Sequence, residues 1–331
     1  MATDTSPRFQ KSDLLPVPEI AAAAVETTDF TSASSWSSAR PPAWWSTCAT
    51  VASDTVLTPM DMVKQRLQLG NIPYKANAAL DNSFDAYYSY LWGGDHFSIN
   101  PERTEVQLKF DNSSGAGFSS KSNYASGLFH IKMKIPRNKS GGIVPNFYLM
   151  GLPIGGDASK PHFEVDFEFL GSTGRLQTNV YNNDTGGREQ KFKLWFDPSA
   201  DYHIYKILWN PSNIVFYVDN IPIRVFKNNV PGVLYPNQPM HIEASIWNAQ
   251  FAGKVDWSKS PFYTYYTDFG FYGCPGNNMA ACASEKFFWN RYKELNPEQK
   301  QKMAYYRKHY MTYDYCAQSA TRKTECAYNN V

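Results

Sequence analysis

His162-Phe-Glu-Val-Asp-Phe-Glu-Phe-Leu-Gly171 is a run in which acidic and apolar residues alternate. Glu164, Asp166 and Glu168 occupy every second position, and Val or Phe fills the positions between them. Because side chains alternate between the two faces of a β-strand, this spacing puts all three acids on one face. We predict a strand here, with an apolar face directed into a core and an acidic face directed away from it.

The segments around this strand show a similar pattern. From about residue 84 to residue 262, short alternating runs are separated by Gly, Asn and Pro roughly every 8 to 12 positions, which is typical of antiparallel sheet. No βαβ spacing interrupts them. We therefore predict an all-β fold, a jelly-roll sandwich of two antiparallel sheets. The predicted strands are 105–108, 127–134, 146–149, 163–169, 176–180, 202–209, 214–218, 221–226 and 241–247.

Composition divides the chain into three zones. Residues 1–80 are rich in Ser, Thr, Ala and Pro, so we expect a leader of low order. Residues 81–262 form the predicted sandwich. Residues 263–331 form a predicted C-terminal extension with one helix at 297–310, which is favoured by its Lys, Glu and Gln content.

The cysteines indicate an oxidising compartment. Cys274, Cys282, Cys316 and Cys326 lie in the extension at short separations, which predicts two local disulfides. Four reduced thiols or a zinc site are the alternatives, although the paired C-x-x-C spacing of zinc sites is missing. The N-x-S/T sequons at Asn112, Asn138 and Asn183 are candidate glycosylation sites in the same compartment. Residues 1–26 lack the apolar stretch of a secretion signal, so targeting is not predicted from them.

Net charge and composition exclude several classes of partner. The 32 basic and 30 acidic residues give a formal charge of +2, too small for a broad phosphate-binding field, so we expect no nucleic acid partner. No apolar run of about 18 residues predicts a membrane-spanning helix, so we expect no membrane partner. Aromatic residues make up 16% of the chain and provide rings that can stack on sugars as well as fill a core.

The acidic strand carries the predicted chemistry. Glu164 and Glu168 lie about 13 Å apart at their Cα atoms in a strand that rises about 3.3 Å per residue, and inward-leaning side chains can close most of that gap. Two carboxyl groups about 5 Å apart suit a retaining glycosidase, in which one attacks the sugar and the other acts as acid and then base. An ordinary amphipathic strand is the alternative, but three neighbouring like charges on one face repel one another. A calcium site is a further alternative, and the additional oxygen ligands that it needs are not located.

Here the sequence resembles a known family. Glu-x-Asp-x-Glu followed by Phe-Leu-Gly is similar to glycoside hydrolase family 16, specifically the plant xyloglucan endotransglucosylase/hydrolases. The similarity covers about 245 residues and includes SSGAGFSSKSNYASGLFHIKMKIP (113–136), the long segment 176–229, EASIWNA (243–249) and the cysteine region.

The resemblance implies a role for several side chains. Glu164 is then the nucleophile, Glu168 the general acid/base, and Asp166 the neighbour that tunes both. The implied substrate-binding residues are Gln177, Thr178, Asn179, Gly187, Arg188, Glu189, Trp247, Gly253, Arg322, Tyr124 and Trp195. Each of the aromatic residues in this set can equally be a core residue.

The sequence also departs from the family pattern. Phe163 replaces the Asp that most members carry before the nucleophile, and the loop 171–176 is about four residues shorter than usual. WNAQFAG at 247–253 lacks the Asp-Asp-Trp-Ala-Thr type of loop that lines the cleft, which bears on acceptor binding. Pro145 falls in a predicted strand region, where proline is unusual.

A second, short resemblance lies in the first zone. Residues 59–66, Pro-Met-Asp-Met-Val-Lys-Gln-Arg, resemble the signature of mitochondrial carriers, and residues 48–75 are similar to a mitoferrin segment. No companion helices are predicted, so transport is not expected. We interpret the segment as a fused or mis-joined exon.

The longer resemblance implies an enzyme that cleaves the β-1,4-glucan backbone of xyloglucan through a glycosyl-enzyme intermediate and transfers the fragment to another xyloglucan chain. Its partners are then a xyloglucan donor and a xyloglucan acceptor, with no cofactor and no metal. We expect a monomer secreted to the cell wall. A xyloglucan endohydrolase and a non-catalytic wall polysaccharide-binding protein are the alternatives.

Overall fold

Residues 81–152 and 160–329 are described by the computed structural model, and they form two antiparallel sheets packed against each other. Sheet A has the strand order β1-β4-β13-β6-β7-β8-β9-β16. Its strands are β1 (Tyr88–Trp92), β4 (Ala116–Ser120), β6 (Ile143–Gly151), β7 (His162–Phe169), β8 (Arg175–Asp184), β9 (Gln190–Lys193), β13 (His241–Asn248) and β16 (Met311–Asp314).

Sheet B has the order β12-β11-β10-β5-β14-β3-β2, and β15 pairs with β5 in addition. Its strands are β2 (Phe97–Ile99), β3 (Glu105–Phe110), β5 (Tyr124–Lys134), β10 (His203–Trp209), β11 (Asn213–Val218), β12 (Ile221–Lys227), β14 (Phe262–Thr267) and β15 (Tyr272–Pro275). The two-sheet jelly-roll sandwich predicted from the sequence is confirmed.

The core lies between the inner faces of the two sheets. In β7, Val165, Phe167 and Phe169 are fully buried in it, which is the apolar face that the alternation predicts. The ring of Phe167 packs edge-on against the rings of Tyr205 and Phe216 from sheet B. Burial of each such aromatic side chain contributes about 1.5–3 kcal/mol, so β7 is held in one register with its acids on the opposite face.

Helices are short and few in the described part of the chain. They are α1 (Phe84–Tyr87), α2 (Met279–Cys282) and α3 (Pro297–Tyr310), with several single turns of 3-10 helix. Helix α3 has the bounds that the sequence predicts. It begins at a capping box, in which the Asn296 side chain accepts a hydrogen bond from the Gln299 backbone N–H and the Gln299 side chain accepts one from the Asn296 backbone N–H. Pro297 occupies the first helical position.

The C-terminal stretch adds strands to both sheets. Strand β15 pairs with β5 of sheet B, and β16 pairs with β9 of sheet A. Disulfides Cys274–Cys282 and Cys316–Cys326 close two local loops, so the prediction of two local disulfides is confirmed.

All predicted strands are present, most of them longer by a few residues. Pro145 lies inside β6, opposite Ile246 of β13, and pairing continues on both sides of it. The sequence did not predict β1, β2, β4, β9, β14, β15 or β16. Strand β4, Ala-Gly-Phe-Ser-Ser, consists mostly of small residues with weak strand propensity, and its neighbours in the sheet fix its conformation.

The predicted leader, residues 1–80, and the carrier-like segment at 48–75 within it lie outside the described residues. Across 81–152 and 160–329, no helix has both the length and the apolar character needed to cross a lipid bilayer.

Candidate active site

Three carboxyl groups share the outward face of β7, an inner strand of sheet A. Glu164, Asp166 and Glu168 alternate with the buried apolar residues of that strand, so all three point away from the core. Opposite them on β8 lie Tyr181, Asn179 and Gln177 in the same order. The geometry confirms that the acids lie on one face, as the spacing predicts.

Glu164 contacts the residue that begins the strand. His162 Nε2 lies 2.8 Å from Glu164 Oε2, and the side chain of Glu164 is 17% exposed. His162 Nδ1 is 2.7 Å from the Lys160 carbonyl oxygen, and its ring stacks on Tyr181. No role for His162 follows from the sequence, because only the strand geometry brings it to the carboxylate.

Asp166 is the most buried member of the trio. Its residue surface is 2% exposed, and Oδ1 has no hydrogen-bond partner within the described ranges. Burial and the charges of Glu168 and Glu164 raise the pKa of Asp166 well above its usual range, although Arg224 and the Asn179 backbone amide oppose this shift. Burial and the neighbouring charges thus favour the protonated form of Asp166 over the ionised form.

Glu168 accepts a hydrogen bond from a residue of the next strand, β8. Gln177 Nε2 donates to Glu168 Oε2 at 2.8 Å. Burial and the Glu164 charge raise the pKa of Glu168 to about 7, against the opposing effect of Gln177. A carboxylic acid that keeps its proton near neutral pH can protonate a leaving group, while an ionised neighbour can attack.

A second polar row lies beside the trio on strands that are distant in sequence. Tyr148 of β6 is opposite Asp166, and its hydroxyl donates to Glu243 Oε2 on β13 at 2.8 Å. Ser119 of β4 donates to Glu243 Oε1 at 3.3 Å. These residues were not predicted from the sequence, because Glu243 is 95 residues from Tyr148 and 124 residues from Ser119, and no local pattern encodes the strand order β4-β13-β6.

The predicted binding residues on β8 divide between its two faces. Gln177 and Asn179 are on the face of the trio, but Thr178 is fully buried and its hydroxyl accepts a bond from Arg224 Nη1 at 2.9 Å. Three consecutive strand residues cannot all face the same side. Direct contact between the Thr178 side chain and a sugar therefore has no geometric support.

The turn after β8 connects the site to the C-terminal stretch. Arg188 is buried, with Nε 2.6 Å from Glu325 Oε1 and Nη1 2.7 Å from Asp184 Oδ2. Glu189 approaches Asn179 Nδ2 at 3.5 Å, on the side of the trio. Gly187 has a φ of +75°, a conformation that glycine adopts without strain. In this arrangement the Arg188 guanidinium is occupied by protein partners.

The segment at the end of β13 contains two predicted binding residues, Trp247 and Gly253, and Gly253 lines a cavity. Trp247 is 37% exposed, and its ring lies edge-on to that of Phe251, which is 58% exposed. Next to them is a cavity of about 420 Å³ lined by Asn248, Gln250, Gly253, Lys254, Val255 and Trp257. On β6, Asn146 pairs with Glu168 of β7, and Val144, two residues before Asn146, pairs with Trp247 of β13. The cavity therefore lies toward the Glu168 end of β7.

The remaining predicted binding residues lie elsewhere. Tyr124 is buried against Phe271 in the core, and Trp195 packs against Tyr306 of α3. Arg322 is exposed, and its Nη1 approaches the Cys316 carbonyl oxygen at 3.4 Å. The structure does not bring these three side chains to the trio, so their roles in sugar binding stay predictions.

The three sequons differ in their surroundings. Asn112 and Asn183 are exposed. Asn138 is exposed as well, but its amide nitrogen donates to the carbonyl oxygens of Lys259 and Pro261 at 2.7 and 3.2 Å. Glycosylation at Asn138 would remove one of these donor hydrogens, so Asn112 and Asn183 are the better candidates. Among the described residues, no group of three or more His, Cys, Asp or Glu side chains is arranged to hold a metal ion.

Comparison with known proteins agrees with this geometry. Residues 84–268 match glycosyl hydrolases family 16. The bacterial β-glucanase of Bacillus licheniformis is similar in structure, with a TM-score of 0.50 and 26% identity over 59% of this chain and 95% of that chain. The family match at residues 84–268 begins after the carrier-like segment at 48–75, so it gives that segment no support.

Plant proteins are more similar in sequence. Xyloglucan endotransglucosylase/hydrolase protein 2 of Arabidopsis thaliana is 44% identical over 279 residues, which is 78% of this chain and 93% of that protein. Protein 3 of the same name and organism is 45% identical over 73% of this chain and 87% of its own length, and protein A of Phaseolus angularis is 41% identical over 76% and 90%. The chain therefore belongs to glycosyl hydrolase family 16, and within it to the group of xyloglucan endotransglucosylase/hydrolase proteins.

Proposed function

We propose that this protein cleaves the β-1,4-glucan backbone of xyloglucan with retention and transfers the fragment to a second xyloglucan chain. The observation that carries the proposal is the shared face of Glu164, Asp166 and Glu168, where the pKa of Glu168 is raised to about 7 beside another carboxyl group. Carboxyl groups in different environments can act as nucleophile and acid at one pH.

In the proposed first step, an oxygen of Glu164 forms a bond to the anomeric carbon as the bond to the leaving glucan breaks. Glu168 gives its proton to the departing oxygen and becomes a carboxylate. Asp166, neutral and buried between them, limits the negative charge on the strand and can donate a hydrogen bond. These roles follow the family resemblance and are compatible with the burial of each group.

In the second step, a hydroxyl group attacks the same carbon and the ester electrons return to Glu164. Glu168 takes the proton from the attacking oxygen. A xyloglucan hydroxyl gives transfer, whereas water gives hydrolysis. The exposed rings of Trp247 and Phe251 beside the cavity of about 420 Å³ offer a platform for an acceptor sugar, and they support transfer as the main outcome.

The segment 247–253 also bears on the alternative function, xyloglucan hydrolysis. Residues 247–253 form WNAQFAG, which lacks the acidic loop expected from the family pattern. An acceptor held mainly by aromatic rings competes with water less strongly than one that is also hydrogen-bonded. The balance between transfer and hydrolysis therefore depends on this segment.

The remaining roles and contexts are part of the proposal. Gln177 orients Glu168, and Asn179 and Glu189 provide polar contacts to the donor sugar. Residues 81–262 form the catalytic domain and 263–331 an extension, while 1–80 form a leader. The two disulfides support an oxidising compartment, and we place the protein in the cell wall as a monomer that needs no cofactor.

The test follows xyloglucan chain length in the presence and absence of a labelled xyloglucan oligosaccharide. The full chain is secreted from a eukaryotic host behind an added signal peptide, and Glu164→Gln serves as the inactive control. Incorporation of label into long chains supports transfer, and shortening without incorporation supports hydrolysis. If chain length and label distribution both stay unchanged with correctly folded protein, the proposed function is wrong.

A further inference from the structure

The first residue of β7 forms a hydrogen-bonded unit with the proposed nucleophile. His162 is 6% exposed, and its two ring nitrogens have different partners. Nδ1 lies 2.7 Å from the carbonyl oxygen of Lys160, and Nε2 lies 2.8 Å from Glu164 Oε2. The ring also stacks on Tyr181 at a centroid distance of 4.9 Å and an interplanar angle of 18°. Three contacts thus fix the position of one imidazole.

An irregularity in the neighbouring strand accompanies this placement. His162 pairs with Asp184, whereas Phe163 pairs with Asn182, so β8 has one additional residue at this point. That residue, Asn183, has a φ of +56°. A β-bulge of this kind changes the direction of nearby side chains. Position 163, where the family pattern has Asp, is a buried Phe in this chain. It therefore contributes no charge beside the trio.

The partners of His162 restrict where its protons lie. A carbonyl oxygen can only accept, so the contact with Lys160 requires a hydrogen on Nδ1. A neutral imidazole with that hydrogen presents a lone pair at Nε2, which cannot bond an ionised carboxylate. The 2.8 Å contact therefore contains one proton shared between two groups. Either His162 is an imidazolium beside ionised Glu164, or Glu164 holds the proton itself.

The surroundings favour the charged imidazole. Burial alone would lower the pKa of His162, but the hydrogen bonds to Glu164 and the Lys160 carbonyl and the charges of Glu164 and Asp184 outweigh it and raise that pKa. Other titratable groups facing the pair or its immediate neighbours are Asp166 and Glu168 on β7, Tyr148 on β6, Tyr181 on β8 and Glu243 on β13. None of these groups is cationic, so none of them opposes a positive charge at His162.

We propose that His162 is a positioning residue for the nucleophile, an imidazolium that orients Glu164 through Oε2 and keeps it ionised. The inference deepens the proposed function and rests on it. With Oε2 held, attack on the anomeric carbon falls to Oε1. In the glycosyl-enzyme, Oε2 is then the ester carbonyl oxygen and still accepts from Nε2.

The same contact assists the second step. As the acceptor oxygen bonds to the anomeric carbon, the C–Oε1 bond breaks and its electron pair returns to Glu164. The negative charge spreads to Oε2, where the imidazolium stabilises it. The proton of the acceptor hydroxyl goes to Glu168, so His162 gains and loses none over the cycle.

The test compares His162→Gln, which can still donate a hydrogen bond but has no charge, with His162→Leu, which has neither. His203→Gln is the matched control, because His203 also contacts a carboxylate, Asp219, at 2.6 Å but lies on β10 of sheet B. The pH dependence of kcat/KM is measured for the full chain of each protein. We expect the acidic limb to move to higher pH by about one pH unit in both His162 variants, because ionised Glu164 has lost its positive partner.

The kinetic constants separate positioning from a loss of structure. We expect His162→Leu to lower kcat by about tenfold to a hundredfold, because it removes a hydrogen bond to a charged group, and His162→Gln to recover part of that loss. KM for xyloglucan should change little in both. If both variants keep the melting temperature and the acidic limb of the wild type, the inference is wrong.

A measurement on the unaltered histidine covers the case in which the variants do not fold. Nitrogen-15 NMR of imidazole-labelled protein reports the protonation of His162 in the wild type and in Glu164→Gln. We expect the pKa of His162 to fall in Glu164→Gln, and an unchanged pKa contradicts the inference. If Glu164→Gln keeps its turnover, the proposed nucleophile is wrong whatever His162 does, so the two failures are distinguishable.

Discussion

Gln177 on β8 donates its side-chain amide to Glu168 on β7 at 2.8 Å, so one residue of the neighbouring strand directly contacts the proposed acid. The amide hydrogen bond favours the ionised form of Glu168, while burial and the Glu164 charge favour the protonated form. The pKa of about 7 results from these opposing effects.

Gln177→Leu removes the donor that favours ionised Glu168, so the pKa of Glu168 should rise above about 7. The alkaline limb of the pH profile of kcat/KM then moves to higher pH, because the acid keeps its proton longer. Gln107→Leu on β3 of sheet B is the matched control. An alkaline limb that stays in place, or moves to lower pH, would show that Gln177 does not set this equilibrium.

Glu168→Gln should make the protein more stable at pH 7.5 and leave it unchanged at pH 4. The pKa of Glu168 rises from 4.5 to about 7 on folding, so the folded state binds more protons within that window and its stability falls as pH rises. Removing the group removes this loss, and we expect the melting temperature at pH 7.5 to increase by roughly 5 °C. Scanning calorimetry at both pH values checks this, with Glu298→Gln on α3 as an exposed control. An equal difference at both pH values would contradict the titration of Glu168.

Arg188→Leu should lower the free energy of unfolding by about 3–5 kcal/mol, because it leaves Glu325 buried without its charge partner. Glu325 is 1% exposed and 2.6 Å from Arg188 Nε. Denaturant titration measures the change, and Lys302→Leu, which removes an exposed ion pair on α3, should have no measurable effect. If Arg188→Leu is as stable as the wild type, this ion pair does not hold the C-terminal stretch against the β8–β9 turn.

Phe251→Ala should weaken acceptor binding without changing donor cleavage. The substitution removes one of the exposed rings at the cavity, and we expect the acceptor concentration for half-maximal transfer to rise about threefold to tenfold. Label incorporation against acceptor concentration measures the change, and Tyr305→Ala, an exposed ring on α3, is the control. Unchanged acceptor dependence would move the acceptor platform away from the Trp247–Phe251 pair.

Local alternation was enough to predict the central strand and its acidic face. Glu164, Asp166 and Glu168 are separated by residues that each fill the core, so the sequence contains both the strand and the direction of its side chains. Helix α3 was equally predictable from its Lys, Glu and Gln content, and in the structure Asn296 and Pro297 mark its beginning. In these segments the local preference and the tertiary environment agree.

The contacts between strands were not predictable in the same way. Glu243 contacts Tyr148 only because β13 lies beside β6. Thr178 faces inward because successive side chains of β8 alternate between the two faces of the sheet. Trp195 packs on α3, more than a hundred residues later in the chain. Such positions depend on sheet order and register, which a single sequence does not specify.

The most direct test of the account locates the covalent bond. The full chain is mixed with a xyloglucan oligosaccharide, quenched in acid and digested, and the peptide that contains residues 162–171 is fragmented in a mass spectrometer. We expect a glycosyl group on Glu164 in the wild type and none in Glu164→Gln. An active wild-type enzyme that carries the sugar on another residue would contradict it.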